Sequence, residues 1–136
     1  MPENVRLYLL VSAGSVIGSV LRAIASIGAL AWFGTAFPWG TLLVNVIGSF
    51  VIGFYATLTG PDGRVFAGTH QRQFVMTGIC GGFTTFSMFS FETFSLVQKG
   101  NWPMAGLNVG VSITTWLAAV WLGHIVASRL NRLGGT

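Results

Sequence analysis

Four long stretches of the chain are almost entirely apolar, and short polar segments separate them. A helix needs about 20 consecutive apolar residues to cross the hydrocarbon core of a bilayer. We place the four stretches at residues 5–33, 38–58, 71–98 and 102–128. The pattern therefore predicts an all-α membrane protein with four transmembrane helices, forming a single domain over residues 1–136.

Composition agrees with this prediction and excludes several classes of protein. Only 7% of the residues are charged and 52% are hydrophobic, whereas a water-soluble domain carries about 25% charged residues. The seven Lys and Arg residues are spread over the loops and make no nucleic-acid patch. A single cysteine rules out an intrachain disulfide, and no nucleophile–base pair or metal cluster indicates an enzyme. Because four short helices bury little surface between them, we expect an oligomer.

Residues 81–90, which read Gly-Gly-Phe-Thr-Thr-Phe-Ser-Met-Phe-Ser, interrupt the third apolar stretch. Glycines beside hydroxyl residues predict a broken helix near Gly81 and Gly82. A break leaves backbone groups that lipid cannot satisfy, so it must be buried in protein or line a polar cavity. Broken membrane helices of this kind form ion and substrate sites, so the segment points to transport.

Polar side chains recur at helical spacing on three of the predicted helices. They are Thr41, Asn45 and Ser49 on the second helix, Asn108, Ser112 and Thr115 on the fourth, and Ser12, Ser15, Ser19, Arg22 and Ser26 on the first. Two interpretations stay open: hydrogen bonds between helices, or a polar track for a small ion. The two asparagines favour the track more strongly, because an unsatisfied amide in lipid is costlier than a hydroxyl.

Small residues also recur at the spacing that lets membrane helices approach closely. The pairs are Gly14 and Gly18, Gly78 and Gly82, and Gly106 and Gly110. With one pair on each of the first, third and fourth helices, the sequence predicts a compact bundle.

Charges within the spans are few. Arg22 is the only cation well inside a predicted helix, and it either draws anions into a water-filled vestibule or extends to the interface. Glu92 is the only acid in a membrane segment. A small proton-coupled multidrug antiporter is the alternative function, and it would need a carboxylate early in the chain, where the first helix has none.

Phe86 and Phe89 lie three residues apart, so they share a face of the third helix after the break. An aromatic ring has a positive edge, which can solvate a small anion without a fixed charge. A helix that starts after a break also offers free N–H groups to an anion. The neighbourhood therefore favours an ion site over ordinary core packing, and carbonyls freed at the same break could hold a cation.

Residues 14–22, 40–48 and 81–90 together resemble the Fluc (CrcB) family of bacterial fluoride channels, and the resemblance covers essentially the whole chain. It implies that four-helix subunits pair as antiparallel, dual-topology homodimers in the bacterial inner membrane. It also implies two narrow pores that pass fluoride and exclude chloride. Passive export of cytosolic fluoride, and with it fluoride resistance, would follow.

The resemblance assigns roles to individual residues. The fluoride-pore residues it implies are Phe86, Phe89, Asn45, Thr85, Ser87, Asn108 and Ser112. Backbone carbonyls of Gly81 and Thr84 would hold a structural sodium ion at the dimer interface. Trp116 comes one turn after Ser112, where a small polar residue would have extended the polar track.

One feature conflicts with dual topology. Five arginines fall on one side of a four-helix topology and Lys99 on the other; the arginines are Arg6, Arg64, Arg72, Arg129 and Arg132. This bias predicts that both termini lie inside, whereas a chain that inserts both ways should show little bias.

Overall fold

The structure is a computed structural model and describes residues 1–134. Its elements are α1 (Glu3–Phe33), α2 (Trp39–Leu58), α3 (Thr69–Gln73), a π-helical segment (Phe74–Cys80), α4 (Gly81–Phe83), α5 (Phe86–Gln98) and α6 (Trp102–Leu133). Residues 69–98 form one bent span, so the chain has four helices long and apolar enough to cross a membrane. The prediction of four spans, the third one bent, is confirmed, and the last helix continues five residues beyond the predicted end at 128.

Two glycines with positive φ end helices at the same end of the bundle. Gly34 (φ 72°) follows α1, and Gly100 (φ 75°) lies in the short connection between α5 and α6, where L-residues with a Cβ are strained. Asn101 then caps α6, since its side-chain oxygen accepts a hydrogen bond from the Met104 N–H at 3.4 Å. The tight connection at residues 99–101 therefore depends on two local features, the positive φ of Gly100 and the capping side chain of Asn101.

The span of residues 69–98 packs against α1 through glycine, and α2 packs most extensively against α6. A Cβ added to Gly14 would lie 3.0 Å from the Gly78 Cα, and one added to Gly82 would lie 2.9 Å from the Ser15 Cα. Backbone thus lies directly on backbone, as small-residue pairs allow. The pair on α6 differs, because no atom of the described chain lies within 4 Å of a Cβ added to Gly106 or Gly110.

The break in the third span lies just after the two glycines near which it was predicted. Gly81 is helical (φ −64°, ψ −38°), and the chain leaves the helix at Thr84 (φ −89°, ψ 160°) and Thr85 (φ −154°, ψ 120°). The predicted break near Gly81 and Gly82 is therefore present, and it opens two residues after Gly82. Gly82 itself allows close packing against Ser15, and the helix ends where side chains replace its backbone hydrogen bonds.

The four spans alternate in direction, so the ends of the bundle differ in charge. Arg6, Arg64, Arg72, Arg129 and Arg132 lie at one end, which we call the arginine-rich end, and Lys99 lies at the other, the Lys99 end. At the arginine-rich end, a hydrogen bond joins the loop after α2 to α6: the Arg64 backbone N–H donates to Asn131 Oδ1 at 2.8 Å. Arg72 donates to the Ala56 carbonyl and to the Thr59 hydroxyl.

Candidate functional site

The break in the third span is held by Asn45 of α2. Its Oδ1 accepts the Thr85 N–H at 2.7 Å, and its Nδ2 donates to the Thr85 carbonyl at 2.9 Å. In a continuous helix the Thr85 N–H would bond the Gly81 carbonyl. The buried amide of Asn45 thus replaces the lost helical bond, and one of its two N–H groups remains available.

Hydroxyl side chains cap the start of α5. The Thr85 Oγ1 accepts the Met88 N–H at 3.2 Å and lies 3.2 Å from the Ser87 Oγ. Among the described residues, the backbone N–H groups of Phe86 and Ser87 find no acceptor. The first turn of this 13-residue helix therefore presents free donors and the positive end of its dipole.

Phe86 and Phe89 are neighbours but occupy different environments. Their ring centroids lie 5.5 Å apart. Phe89 is 6% exposed and meets Trp116 of α6 edge to face, with centroids 4.9 Å apart and planes at 74°. Phe86 is 70% exposed on the surface of the chain. The structure therefore brings the predicted pair together at the break, with one ring inside the bundle and one outside.

A buried polar row continues from Phe89 along α6. Asn108 and Ser112 are each 1% exposed. The Asn108 Nδ2 donates to Thr93 Oγ1 at 3.0 Å, and the Ser112 hydroxyl donates to Asn108 Oδ1 at 3.2 Å. Thr115, the third residue of the predicted stripe, instead bonds carbonyls of its own helix. Two of the three predicted positions thus form one network inside the bundle.

Sequence analysis did not foresee the contact between Thr41 and Glu92. The Thr41 hydroxyl donates to Glu92 Oε1 at 2.7 Å, whereas the buried Oε2 has no partner among the described residues. The available signals were separate: Thr41 shares a face with Asn45, and Glu92 is the only acid in a span. The sequence alone did not place the two on facing helices.

Two cavities contain polar residues of the predicted site or their neighbours. The first, of about 300 Å³, is lined among others by Asn45, Thr85, Phe86 and Trp116, and we call it the break cavity. The second, of about 380 Å³, contains Thr41, Glu92 and Lys99 in its wall, and we call it the Lys99 cavity. Thr41 and Asn45 are one helical turn apart on α2, so they give each cavity a polar side chain from the same face.

Arg22 lies beside the break rather than at either end of the bundle. Its Nη1 donates to the Thr84 carbonyl at 3.4 Å, and the guanidinium lines neither the break cavity nor the Lys99 cavity. The half-buried cation thus meets a carbonyl that has left the helix. Its role in a vestibule stays a prediction.

The two carbonyls predicted to hold sodium are also at the break. The Gly81 residue is exposed, and no donor among residues 1–134 reaches its carbonyl. The Thr84 carbonyl accepts only the long bond from Arg22. Freed backbone carbonyls are the ligands that coordinate sodium in broken membrane helices. Within residues 1–134, no cluster of three His, Cys, Asp or Glu residues offers a second kind of metal site.

Comparison with known proteins identifies the family of this chain. The family model described as CrcB-like protein, Camphor Resistance (CrcB), matches residues 9–124. The chain is 61% identical to "Fluoride-specific ion channel FluC 1" of Rhodopseudomonas palustris (strain BisB18), over 98% of this chain and 95% of that protein. It is 54% identical to "Fluoride-specific ion channel FluC" of Opitutus terrae (strain DSM 11246 / JCM 15787 / PB90-1), over 96% and 98%. These names give no support to the antiporter alternative.

Proposed function

Because this chain belongs to the CrcB family, we propose that it is a passive ion channel selective for fluoride. It is a multi-pass membrane protein and not an enzyme. The observation that carries the proposal is the break cavity, where the clamped helix break meets the Phe86 ring, with the Phe89 ring packed against Phe86. Relatives whose names specify fluoride support the choice of ion.

Selectivity in such a site is a problem of replacing water around a small anion. The donors at hand are the remaining N–H of Asn45, the hydroxyls of Thr85 and Ser87, and the free N–H groups at the start of α5. The positive edges of Phe86 and Phe89 add to them. All are neutral, so they solvate the anion without holding it as tightly as a fixed cation would.

The buried polar row on α6 offers the anion its next hydrogen-bond donors. Asn108 keeps one N–H beyond its bond to Thr93, and the Ser112 hydroxyl rotates to serve either Asn108 or an anion. The Phe89 ring packs closely against Phe86 and Trp116, two residues that line the break cavity, and this close packing would reject larger anions such as chloride.

A second copy of the chain is part of the proposal. The break lies within a span, yet Gly81 and Phe86 are exposed on the surface of a single chain. Lipid cannot satisfy a free carbonyl at that depth, so a protein partner is needed there. The resemblance implies the antiparallel, dual-topology arrangement. The concentration of arginines at one end of the bundle opposes it, because such a bias favours a single orientation in the membrane.

A structural sodium ion at this dimer interface also fits the donors present. The carbonyls of Gly81 and Thr84 are hard oxygen donors that the break has released, and two copies would double their number. Bound there, the ion would neutralise the carbonyl dipoles that face one another across the interface. The Arg22 guanidinium shares the Thr84 carbonyl, so its bond would lengthen to accommodate a second cation.

Passive flow explains how such a channel protects a cell. Hydrogen fluoride crosses membranes as a neutral weak acid and dissociates in the near-neutral cytosol. A fluoride-selective pore in the bacterial inner membrane then lets the anion leave down its electrochemical gradient. Nothing in this cycle requires proton coupling.

The decisive experiment is anion efflux from liposomes that contain the purified protein. Fluoride and chloride electrodes would follow release while potassium and valinomycin clamp the voltage, with no proton gradient imposed. We expect rapid fluoride release without chloride release. Folded protein that releases no fluoride would refute the channel and direct attention to Glu92 and coupled transport.

The Phe86→Ile variant tests the aromatic part of the site. Replacement of the ring removes its positive edge at the break, so we expect fluoride flux to fall by at least tenfold, corresponding to about 1.4 kcal/mol. Phe94→Ile is the matched control, because Phe94 lies on the same helix, is also exposed and lines neither cavity. Equal flux in both variants would remove Phe86 from the mechanism.

A further inference from the structure

A third cavity, of about 490 Å³, lies at the arginine-rich end of the bundle, away from the candidate site. The end of α2, the loop that follows it and the last part of α6 line this cavity, which we call the Arg132 cavity. Its polar lining residues are Thr57, Asp62, His124, Ser128, Asn131 and Arg132. None of them lines the break cavity or the Lys99 cavity, so the proposed channel leaves these polar groups without a role.

Hydrogen bonds fix the walls of the Arg132 cavity relative to one another. The Thr57 hydroxyl of α2 lies 2.8 Å from His124 Nδ1 of α6, and Asn131 Nδ2 donates to the Thr57 carbonyl at 3.1 Å. The Asn131 Oδ1 also accepts the Arg64 backbone N–H from the loop. Three segments distant in sequence therefore hold the cavity together.

Three side chains of α6 bring donors to this cavity that the fold does not use. His124, Ser128 and Arg132 follow one another at four-residue spacing and share a face of the helix. Arg132 donates from Nε to the Ser128 carbonyl at 3.4 Å, and its terminal amino groups have no acceptor among residues 1–134. When Thr57 donates to His124 Nδ1, the Nε2 of the ring carries the proton. Guanidinium, hydroxyl and imidazole N–H groups together suit the oxygens of a phosphate.

The carboxylate of Asp62 gives the same cavity an opposite charge. Asp62 belongs to the loop after α2 and is exposed, and it lines the cavity together with Arg132. A small free anion would be repelled by this carboxylate. A ligand with an ammonium group beside its phosphate would be attracted by both charges. The lining is thus complementary to a zwitterion.

The level of the cavity in the bundle matches that of lipid headgroups. With 20 residues, α2 is about 30 Å long, which equals the thickness of the hydrocarbon core. Thr57 lies in the last turn of α2, and its contact with His124 brings this part of α6 to the same level. Trp121, one turn before His124, is 64% exposed, as is typical of aromatic residues at the interface.

We propose that the Arg132 cavity binds the headgroup of phosphatidylethanolamine. The phosphodiester accepts hydrogen bonds from His124, Ser128 and Arg132, and the ammonium group pairs with Asp62. A primary ammonium donates hydrogen bonds to a carboxylate, which the trimethylammonium group of phosphatidylcholine cannot do. The inference requires only that the four spans lie in a bilayer, and it does not depend on the ion that the channel passes.

Native mass spectrometry of the full chain in detergent tests the choice of lipid. Phosphatidylethanolamine, phosphatidylcholine and phosphatidylglycerol with identical acyl chains would be added in equal amounts. We expect phosphatidylethanolamine adducts to exceed phosphatidylcholine adducts about fivefold, as for one exposed ion pair. Dominant binding of phosphatidylglycerol would reveal only attraction to arginines and would overturn the inference. Displacement of the lipid by inorganic phosphate at low millimolar concentration would overturn it as well.

Three variants separate the cavity from the overall charge of this end of the bundle. Arg132→Gln and Arg129→Gln remove the same charge from exposed positions of α6, but only Arg132 lines the cavity. We expect Arg132→Gln to abolish the lipid preference and Arg129→Gln to retain it. Asp62→Asn should bind phosphatidylethanolamine and phosphatidylcholine equally and phosphatidylglycerol more strongly. Size-exclusion chromatography checks that all three are folded, and equal losses in the two arginine variants would refute the site.

Histidine labelled with ¹⁵N reports on the cavity itself. The chain has two histidines, and His70, which does not line the cavity, is the internal control once His70→Gln has identified its signal. In nanodiscs that contain phosphatidylethanolamine, we expect the His124 signals to shift relative to phosphatidylcholine nanodiscs, with the proton on Nε2. A His124 ring that is indifferent to the lipid would contradict the proposal.

Fluoride efflux separates this inference from the proposed function. Arg132 lines neither cavity of the candidate site, so Arg132→Gln should release fluoride as the wild type does while its lipid preference is lost. Wild-type protein that binds phosphatidylethanolamine but passes no fluoride would refute only the channel. Wild-type protein that passes fluoride without any lipid preference would refute only the headgroup site.

Discussion

Two stripes of polar residues, one on α6 and one on α1, have similar helical spacing but different burial and hydrogen bonding. On α6, Asn108 and Ser112 are buried and bond each other and Thr93. On α1, Ser12 is exposed, and Ser19 makes only a long contact, 3.5 Å, with the Gly82 carbonyl. Spacing along a helix therefore defines a shared face, but the helix that covers this face decides what its polar groups do.

The difference has a physical cause in the facing helices. Thr93 of α5 faces the α6 stripe, and its side chain reaches Asn108. Opposite the α1 stripe stand Gly78 and Gly82, whose lack of a side chain lets the backbones touch. Close backbone contact stabilises helix pairs in lipid by van der Waals packing, and it leaves the serine hydroxyls of α1 to one side.

The largest expected effect comes from filling the glycine contact of α1. In Gly82→Val, the new Cβ would meet the Ser15 Cα at 2.9 Å, and backbone on both helices cannot move aside. We expect loss of folded protein in size-exclusion chromatography, because overpacking of about 1–3 kcal/mol or more separates the helices. Gly28→Val is the control, since among residues 1–134 no atom beyond the adjacent backbone of α1 lies within 4 Å of a Cβ there. If both variants stayed folded, glycine packing would not explain the α1 stripe.

A smaller effect is expected from interrupting the α6 network. Asn108→Leu keeps the number and branching of the side-chain heavy atoms but removes the hydrogen bonds to Thr93 and Ser112. We expect the free energy of unfolding to fall by about 1–3 kcal/mol and fluoride flux to decrease, measured by denaturation in detergent and by liposome efflux. Flux that persists at the wild-type level in a destabilised protein would make the row purely structural.

The smallest effect is expected from removing a single hydroxyl. The same substitution on both helices compares the two stripes most directly. Ser112→Ala should lower the free energy of unfolding by about 1 kcal/mol, because the lost hydroxyl is buried and bonded. Ser12→Ala should stay within about 0.5 kcal/mol, since Ser12 is exposed. The same denaturation assay serves both, and equal losses would contradict the contrast between the stripes.

Motifs with a local meaning could be predicted well. The apolar lengths predicted the four spans, and residues 81–90 predicted a bend in the third. The residue at which the helix opens depends on α2, because Asn45 takes over the backbone groups of Thr85, 40 residues away. For the same reason, no local pattern linked Arg22 to the Thr84 carbonyl or Thr41 to Glu92.

The sequence by itself determined that this chain crosses a membrane, where its helices lie and which family it belongs to, because hydrophobic length and motif order are local properties. Only the tertiary structure decided which polar stripe is buried, where the broken helix opens and which residues line the break cavity. These depend on the atoms that face each side chain across the bundle. Within lipid, a polar group finds its partner in protein or remains without one, so tertiary contacts decide its function.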